Sequence, residues 1–337
     1  MAKVLIIGAG VAGASAALAL DSAGWDVVVV DKARRPGGRC ATRRLAPDRH
    51  SPWFDYGAQY FTARDTAFRA RVESDLAAGV LERWSPAVCM AEHAASGWQL
   101  KRSPDERERL VGPEGLNHWV RYVFEQADID VRCGQPVRRL SRTSQGWRAD
   151  LGEHGRFNAD AIVLTVPPVQ ARRLLGEQAA VLPALAEADR MLLPCHSLVV
   201  AAPALPDCQA IFVKDGPLSW CADNSHKAGH TDTSARLWTL HAGPEFSAAH
   251  LEDTPESIAT TLTREFAAIT GTSTRHMRLV RTHRWRYARP GPAAEPLADR
   301  CQAARDERIV LAGDWLAGGR VEGAWLSGAA AAAQLSE

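Results

Sequence analysis

The stretch that most limits how this chain folds lies at its start. Residues 3 to 7 read as a short buried strand, 11 to 23 as a helix of small residues, and "DVVVVD", 26 to 31, as a second buried strand. Apolar runs of this kind belong to parallel strands covered on both faces. A strand–helix–strand unit at the N-terminus therefore points to an α/β fold. Between the first strand and the helix, Gly8, Gly10 and Gly13 spell G-x-G-x-x-G. The first glycine permits a tight turn, the second lets backbone approach a pyrophosphate, and the third lets helix and strand pack closely. The free N–H groups and dipole of the helix then face the phosphates. Asp31 ends the second strand, where a carboxylate accepts hydrogen bonds from the adenosine ribose.

The segment after Asp31 bears on whether the dinucleotide is NAD or FAD. In "KARRPGGRCATRR", 32 to 44, Gly37 and Gly38 again allow close backbone approach, and Arg39 offers a forked cation for a diphosphate. The C-terminal stretch "LAGDWLAGGRVEGAWLSGAAAAAQL", 311 to 335, bears on the same question. "ERIVLAGD", 307 to 314, is a buried strand, so Asp314 projects from its carboxyl end, where open α/β sheets bind ligands. A helix is expected to start near Glu322, and Gly318 and Gly319 leave it without a side-chain cap. Its free N–H groups would face the N1–C2=O edge of a flavin. That edge becomes anionic on reduction, and a helix N-terminus favours it by about 0.3–2 kcal/mol.

Elsewhere, helical spacing appears at 65–79 (Phe68, Val72, Leu76) and 115–126 (Leu116, Trp119, Val120, Val123). The segment 98–112 is polar and reads as a strand end and a surface loop. Short strands recur at 129–133, 137–142, 146–151 and 156–158, and "ADAIVLTVPP" is a buried strand stopped by two prolines. From about 170 to 280 the character changes: "HSLVVAA" and "RLWTLHA" alternate with loops, and an amphipathic helix spans 255–270. The simplest partition is a dinucleotide domain of 1–65, 112–170 and 280–337, with a second domain, 66–111 and 171–279, inserted into it.

Charge and cysteines narrow the class. The net charge of +1 gives no reason to expect nucleic acid or a membrane surface as partner. Positive charge is carried mostly by Arg; Lys occurs at 3, 32, 101, 214 and 227. Seven cysteines without a C-x-x-C pair argue against structural zinc or a disulfide framework and for a reducing compartment. The uncharged run 4–20 stops at Asp21, short of the about 20 residues a span requires, and its glycines fall on the fingerprint. A cytoplasmic protein is expected, with no metal site.

Taken together, "GAGVAG", Asp31, "PGGR" and "GDWLAGGRVEGAWLSG" are similar to the pattern of FAD-dependent amine-oxidase-like flavoproteins. More narrowly, "PGGRCATRR", "FDYGAQYFTARD", "THRWRYARP" and the terminal stretch resemble the bacterial renalase branch. The resemblance implies a Rossmann-type FAD-binding domain with an inserted mixed-sheet α+β substrate domain, an amine oxidase or p-hydroxybenzoate hydroxylase-like architecture. It implies non-covalent FAD, oxidation of 2- and 6-dihydro-NAD(P) to NAD(P)+, and reoxidation by O2 to hydrogen peroxide. Carried over by position, Gly8, Val11, Gly13, Asp31, Arg39 and the Gln59–Tyr60 pair would hold FAD, with Gly10, Lys32 and Gly38 beside them. Val137 would meet the adenine through its backbone, Asp314 the ribitol, and Val321, Glu322, Gly323 and Ala324 the pyrimidine edge. Trp285 would pack beside the ring. Cys40 stands where relatives often carry Met, and no cysteine falls in 302–337, against a covalent flavin link.

Hydride loss from a dihydropyridine restores aromaticity, so the protein's main task is to hold the donor carbon about 3–3.5 Å from the acceptor atom. No Ser-His-Asp or Cys-His set stands out, and no catalytic side chain is assigned; positioning and the positive helix end would carry catalysis. Tyr60, Thr62 and Arg64 are candidates for the pocket wall, with Trp220. His196 and His241 are candidates for bonding a carboxamide. Three other readings share the fold or the cofactor. A small-amine oxidase would want an aromatic cage and a lysine near the flavin, and no lysine falls at 280–290. A non-catalytic flavin-binding redox module would bind FAD alone. An NADPH-dependent monooxygenase would want a second nucleotide fingerprint, and none appears.

Overall fold

The first strand takes an interior place in a six-stranded sheet, as its unbroken apolar run requires. In the computed structural model, which describes residues 1–48, 50–127, 129–230 and 236–336, Lys3–Ile7 pairs in parallel with Asp26–Asp31 on one side and Ala161–Leu164 on the other. Asp130–Cys133 and Ile309–Ala312 extend the sheet in parallel, and Cys301–Ala304 closes one edge antiparallel. Val4, Leu5 and Ile6 are fully buried because both faces are covered. The helices Val11–Ser22, Leu116–Glu125 and Arg320–Ser336 contribute to the core on one face. A three-stranded meander, Arg139–Thr143, Gly146–Asp150 and Arg156–Ala159, covers the other together with the helix Pro168–Leu175.

The small residues of the first and last helices have a packing reason. A Cβ on Gly328 would stand 2.2 Å from the Ala12 carbonyl oxygen, so the two backbones lie nearly in contact. Ser15 Oγ donates to the Trp325 carbonyl at 2.7 Å, a bond only that approach permits. Phe68, Val72, Val80 and Leu81, assigned by sequence to the second domain, join this same core. Phe61, Phe68, Trp119 and Trp325 form its aromatic centre.

A second, seven-stranded sheet runs in the order Arg278–Pro290, Leu192–Ala202, Arg236–Ala242, Leu218–Asp223, Ala210–Val213, Val88–Ala94, Gly97–Arg102. Side chains alternate between its faces. Leu198, Val200, Leu240, Cys221 and Ile211 lie under the helix Pro255–Thr270, against Ile258, Leu262 and Phe266. The opposite face meets the segment 53–60: Val199, Ala201 and Leu237 pack with Phe54 and Tyr56, and Ala210, Trp220 and Ala222 with Trp84 and Tyr60. Two short ribbons, Thr42–Arg44 with Trp53–Asp55 and Glu82–Trp84 with Arg109–Val111, bridge the sheets.

Two expectations are corrected. The segment 98–112 is not only a strand end and loop, for Arg109–Val111 is a second, buried strand inside it. The last helix begins at Arg320 rather than near Glu322. No helix among the described residues is long and apolar enough to cross a membrane.

Candidate active site

The fingerprint glycines are held by direct backbone crowding. Gly8 has φ +117°, and a Cβ there would stand 2.4 Å from Thr165 Oγ1. A Cβ on Gly13 would stand 2.0 Å from the Gly8 carbonyl oxygen. The second glycine loop folds onto the first: Gly37 N–H donates to the Ala9 carbonyl at 2.8 Å, and the Gly38 Cα lies 3.9 Å from where a Gly10 Cβ would be. Asp31 accepts 2.7 Å bonds from the N–H groups of Ala9 and Ala33, so it fastens the loop it follows in the fold. Its carboxylate stays half-buried, with lone pairs left for a ribose. Val11 lies buried in the first turn of the helix, Val137 packs half-buried on the meander side, and Lys32 is exposed and donates to Gln170 at 3.2 Å. This floor of bare backbone and free helix amides fits a dinucleotide cofactor.

Arg39 and Asp314, which the sequence places at different parts of the cofactor, clasp each other with two bonds of 3.0 and 2.5 Å, and Arg39 also donates to the Ala288 carbonyl at 3.2 Å. Burial disfavours the Arg39 charge, but Asp314 outweighs it, and the guanidinium pKa is raised. The neighbouring Cys40 thiol is pushed up to about 12, first by burial and then by Asp55, which keeps it protonated and unreactive. After Asp314 the chain turns through three successive left-handed residues, Gly318 (φ +76°), Gly319 (+78°) and Arg320 (+68°). Within that turn Gly319 N–H donates to the Asp314 carbonyl at 2.7 Å. Val321 is half-buried and Gly323 and Ala324 are buried in the first turns of the last helix, and Gly323 is required because a Cβ would stand 2.5 Å from the Ala317 carbonyl oxygen. The Glu322 side chain does something else: it is buried and accepts from the N–H groups of Arg64 (2.5 Å) and Asp65 (2.7 Å).

The strand registers assemble the pocket. Ser197 pairs with His241 on one side and His283 on the other; His241 pairs with Trp220, and Trp220 with Phe212. These side chains share the face that meets residues 53–60. Tyr60 packs against Trp220 (5.4 Å between ring centroids) and Trp84 (6.1 Å), with the buried Arg109 guanidinium 5.2 Å from its ring. Tyr56 stacks on Trp285 at 5.5 Å, and Trp285 Nε1 donates to the Tyr56 carbonyl at 3.0 Å. Ser197 Oγ, His241 Nε2 and Trp220 Nε1 are enclosed and have no hydrogen-bond partner among the described residues. An enclosed polar atom without a partner costs about 1–3 kcal/mol, so these three neighbours form a buried row whose polar atoms would gain from a partner. Burial lowers the pKa of His241 to about 4, so the ring facing the pocket is neutral.

Three expectations fare differently. His196 precedes Ser197 and so lies on the opposite face, where its Nε2 meets the His250 carbonyl at 3.0 Å; it is not in the pocket. Arg64 is exposed and meets Glu322 through its backbone, while Thr62 is half-buried beside it. Gln59 is buried, and its carboxamide donates to the carbonyls of Asp55 (2.6 Å) and Gly57 (3.1 Å). The sequence reading missed Tyr56, Ser197, His283 and Lys227. Alternation along "HSLVV" is the signal that would have set Ser197, not His196, beside His241.

A flavin containing amine oxidoreductase profile matches residues 65–336, and an NAD(P)-binding Rossmann-like domain profile matches 6–72. Hydroxyneurosporene desaturase of Rubrivivax gelatinosus is 30% identical over 168 residues; the match covers 45% of this chain and only 30% of that protein. Among solved structures, cyclohexylamine oxidase from Brevibacterium oxydans IH-35A superposes with a TM-score of 0.73 at 14% identity, over 99% of this chain and 98% of that one. Putrescine oxidase bound to putrescine gives 0.71 at 14% identity, over 98% of each chain. At such identities the structures establish a shared fold.

Proposed function

The chain belongs to the flavin containing amine oxidoreductase family, and from that premise we propose that it is an FAD-dependent oxidase of 2- and 6-dihydro-NAD(P). In this reading Gly8, Gly10, Gly13, Asp31 and Gly38 receive the dinucleotide end of FAD, and the amides of 321–324 receive its pyrimidine edge. When bound, FAD supplies the two-electron acceptor: the dihydropyridine loses a hydride and becomes NAD(P)+, and O2 takes the two electrons, the donor's hydrogen and one proton from solvent to give H2O2.

The side chains of the pocket then have defined tasks. Tyr60, Phe212, Trp220 and Trp285 supply aromatic surface that excludes water from the reacting ring. Ser197, His241 and Trp220 offer uncharged donors and acceptors to a carboxamide. The first-turn amides of the last helix favour negative charge that develops beside them.

The observation that carries the proposal is that the row itself is uncharged and that the charge beside it on the same face is a cation, Arg281, 4.8 Å from the Tyr56 ring. Trp220, His241 and Ser197 carry no charge there, and the nearby carboxylates are engaged: Asp55 by Lys227, and Glu322 by two backbone amides. An alkylammonium arriving at this row meets no free counter-charge, whereas a neutral carboxamide-bearing ring meets three matching atoms. A second reading, oxidation of small amines, draws support from the family profile and from the stacked Tyr56–Trp285 pair.

Anaerobic stopped-flow of the FAD-loaded protein separates the two. The 2- or 6-dihydro isomers should bleach the flavin absorbance faster than ordinary NADH, cyclohexylamine or putrescine at equal concentration. Faster reduction by an amine, or no advantage of the isomers over NADH, refutes the proposal.

A further inference from the structure

Of the five lysines, Lys227 alone is buried, and it is fully so. Its three ammonium directions are all used: Asp55 Oδ2 at 2.8 Å, Asn224 Oδ1 at 2.9 Å and Gln59 Oε1 at 3.4 Å. Asp55 is equally buried and is a hub in its own right. Its Oδ1 accepts from Thr42 Oγ1 at 2.5 Å and from Leu116 N–H at 3.1 Å. Its backbone N–H donates to Asn224 Oδ1 at 3.0 Å, and its carbonyl accepts from Thr239 Oγ1 at 2.7 Å and from Gln59. Thr42 and Leu116 belong to the cofactor side of the molecule, whereas Thr239 and the 224–227 turn belong to the seven-stranded sheet.

A buried ion pair is a weak source of stability, because desolvation of both charges consumes much of the attraction between them. Two apolar residues would fill the same space. What they would lack is direction. The residues 56–60, which lie outside helix and strand, carry Tyr56, Gln59 and Tyr60 between the Arg39 loop and the pocket wall. Gly57 passes so close beneath Arg39 that a Cβ would stand 2.0 Å from the Arg39 carbonyl oxygen. Two of the segment's backbone N–H groups are bonded, Tyr56 to the Ala41 carbonyl at 3.0 Å and Ala58 to the Arg39 carbonyl at 2.9 Å, and at Gln59–Tyr60 the side-chain bonds set its course. The Lys227 ammonium lies 5.8 Å from the Trp84 ring, and Trp84 in turn packs on Tyr60, so the same cation also backs the aromatic wall.

We infer that Lys227 is a positioning residue, which with Asp55 fixes the Gln59–Tyr60 turn where the cofactor loop meets the substrate pocket. The inference rests on the reading that this turn borders the flavin, and on nothing about which donor is oxidised. The test compares wild type with Lys227→Met and with the uncharged pair Asp55→Asn, Lys227→Gln. Each protein is stripped of flavin and titrated with FAD, and the bound flavin spectrum is recorded. The uncharged pair should melt near wild type yet bind FAD at least tenfold more weakly, with a displaced absorbance maximum. Wild-type affinity together with a wild-type spectrum in either folded variant overturns the inference. Hydrogen exchange on wild-type apoprotein decides the matter should neither variant fold: the Asp55 amide, held by the Asn224 side chain that Lys227 also bonds, should exchange as slowly as the strand 236–242, and fast exchange there overturns it too. A protein that passes this test and ignores dihydronicotinamides refutes the proposed function and leaves the positioning role standing.

Discussion

Acid should weaken this protein well above the range in which carboxylates protonate, and His241 shows why. Its pKa falls from the ordinary 6.5 to about 4, first because burial disfavours the imidazolium and then because Lys227 lies nearby, although the Tyr56 backbone opposes the shift. In the unfolded chain the same ring binds a proton near pH 6.5. The unfolded state thus holds more protons between the two values, and stability drops as pH falls through 6.5 and levels off below about 4. At pH 5 the difference amounts to about 2 kcal/mol for one such ring. His230 and His283 are shifted to about 4 in the same sense, again chiefly by burial, and being partly open to solvent they add less each. Together a loss of about 3–5 kcal/mol between pH 7 and pH 5 is expected, which for a chain of this length corresponds to a fall in Tm of roughly 4–7 °C. Thermal melts across that range at constant ionic strength read the effect, and His241→Asn should remove about 2 kcal/mol of the difference. A wild-type Tm that is flat from pH 7 to pH 5, or an acid slope untouched by His241→Asn, refutes the reasoning. The same assignment makes His241 silent in the kinetics between pH 5.5 and 8. A rate dependence centred near 6.5 that vanishes in His241→Asn would show that the ring is not neutral in the pocket.

Two further predictions concern the cofactor cradle. Asp31→Ala removes two 2.7 Å bonds to backbone amides as well as the expected ribose acceptor. The purified protein should then carry well under the wild-type ratio of FAD to polypeptide, with affinity down about 10–100-fold; full occupancy would speak against this role. Gly57→Ala drives a methyl to 2.0 Å from the Arg39 carbonyl oxygen, a backbone atom with no freedom to retreat. Loss of more than about 4 kcal/mol, seen as insoluble protein or a collapsed Tm, is expected, and a wild-type Tm would show that the Arg39–Gly57 contact is not as tight as described.

Some parts of this fold are readable because they depend on neighbours in sequence. The strands at 3–7 and 26–31, the helix between them and the turn at Gly8–Gly13 follow from local spacing, and each appears where periodicity puts it. The helices 66–77, 116–125 and 255–270 follow likewise from apolar residues recurring on one side. Legibility fails where polarity and burial part company. Arg109 reads as a loop residue, yet it is buried in the short strand Arg109–Val111, paired with Asp105 and lying against Tyr60. Lys227 goes unremarked for the same reason, since nothing around "SHKAG" announces a partner as distant as Asp55. A buried charge is intelligible only with its counter-charge, and contacts of that kind are set by tertiary structure.

The pocket shows a different limit. His241 is identifiable in the sequence as an imidazole on a strand and Trp220 as an aromatic pocket candidate, but their relation to each other is not, because strand register sets which side chains are neighbours. A slip of one residue between Leu192–Ala202 and Arg236–Ala242 would exchange Ser197 for His196 beside His241 and replace a small hydroxyl by a second imidazole. What excludes that slip is the apolar pattern of the two strands: Leu198 and Val200 must face Ile258 and Leu262, and Leu240 must join them. The chemistry of the row is therefore fixed from behind, by the hydrophobic demands of the helix Pro255–Thr270 on the far face. A substitution under that helix, such as Leu198→Asp, should consequently reach the pocket through register as well as through stability. In any refolded fraction, the spacing of Ser197, His241 and Trp220 is where the damage would appear.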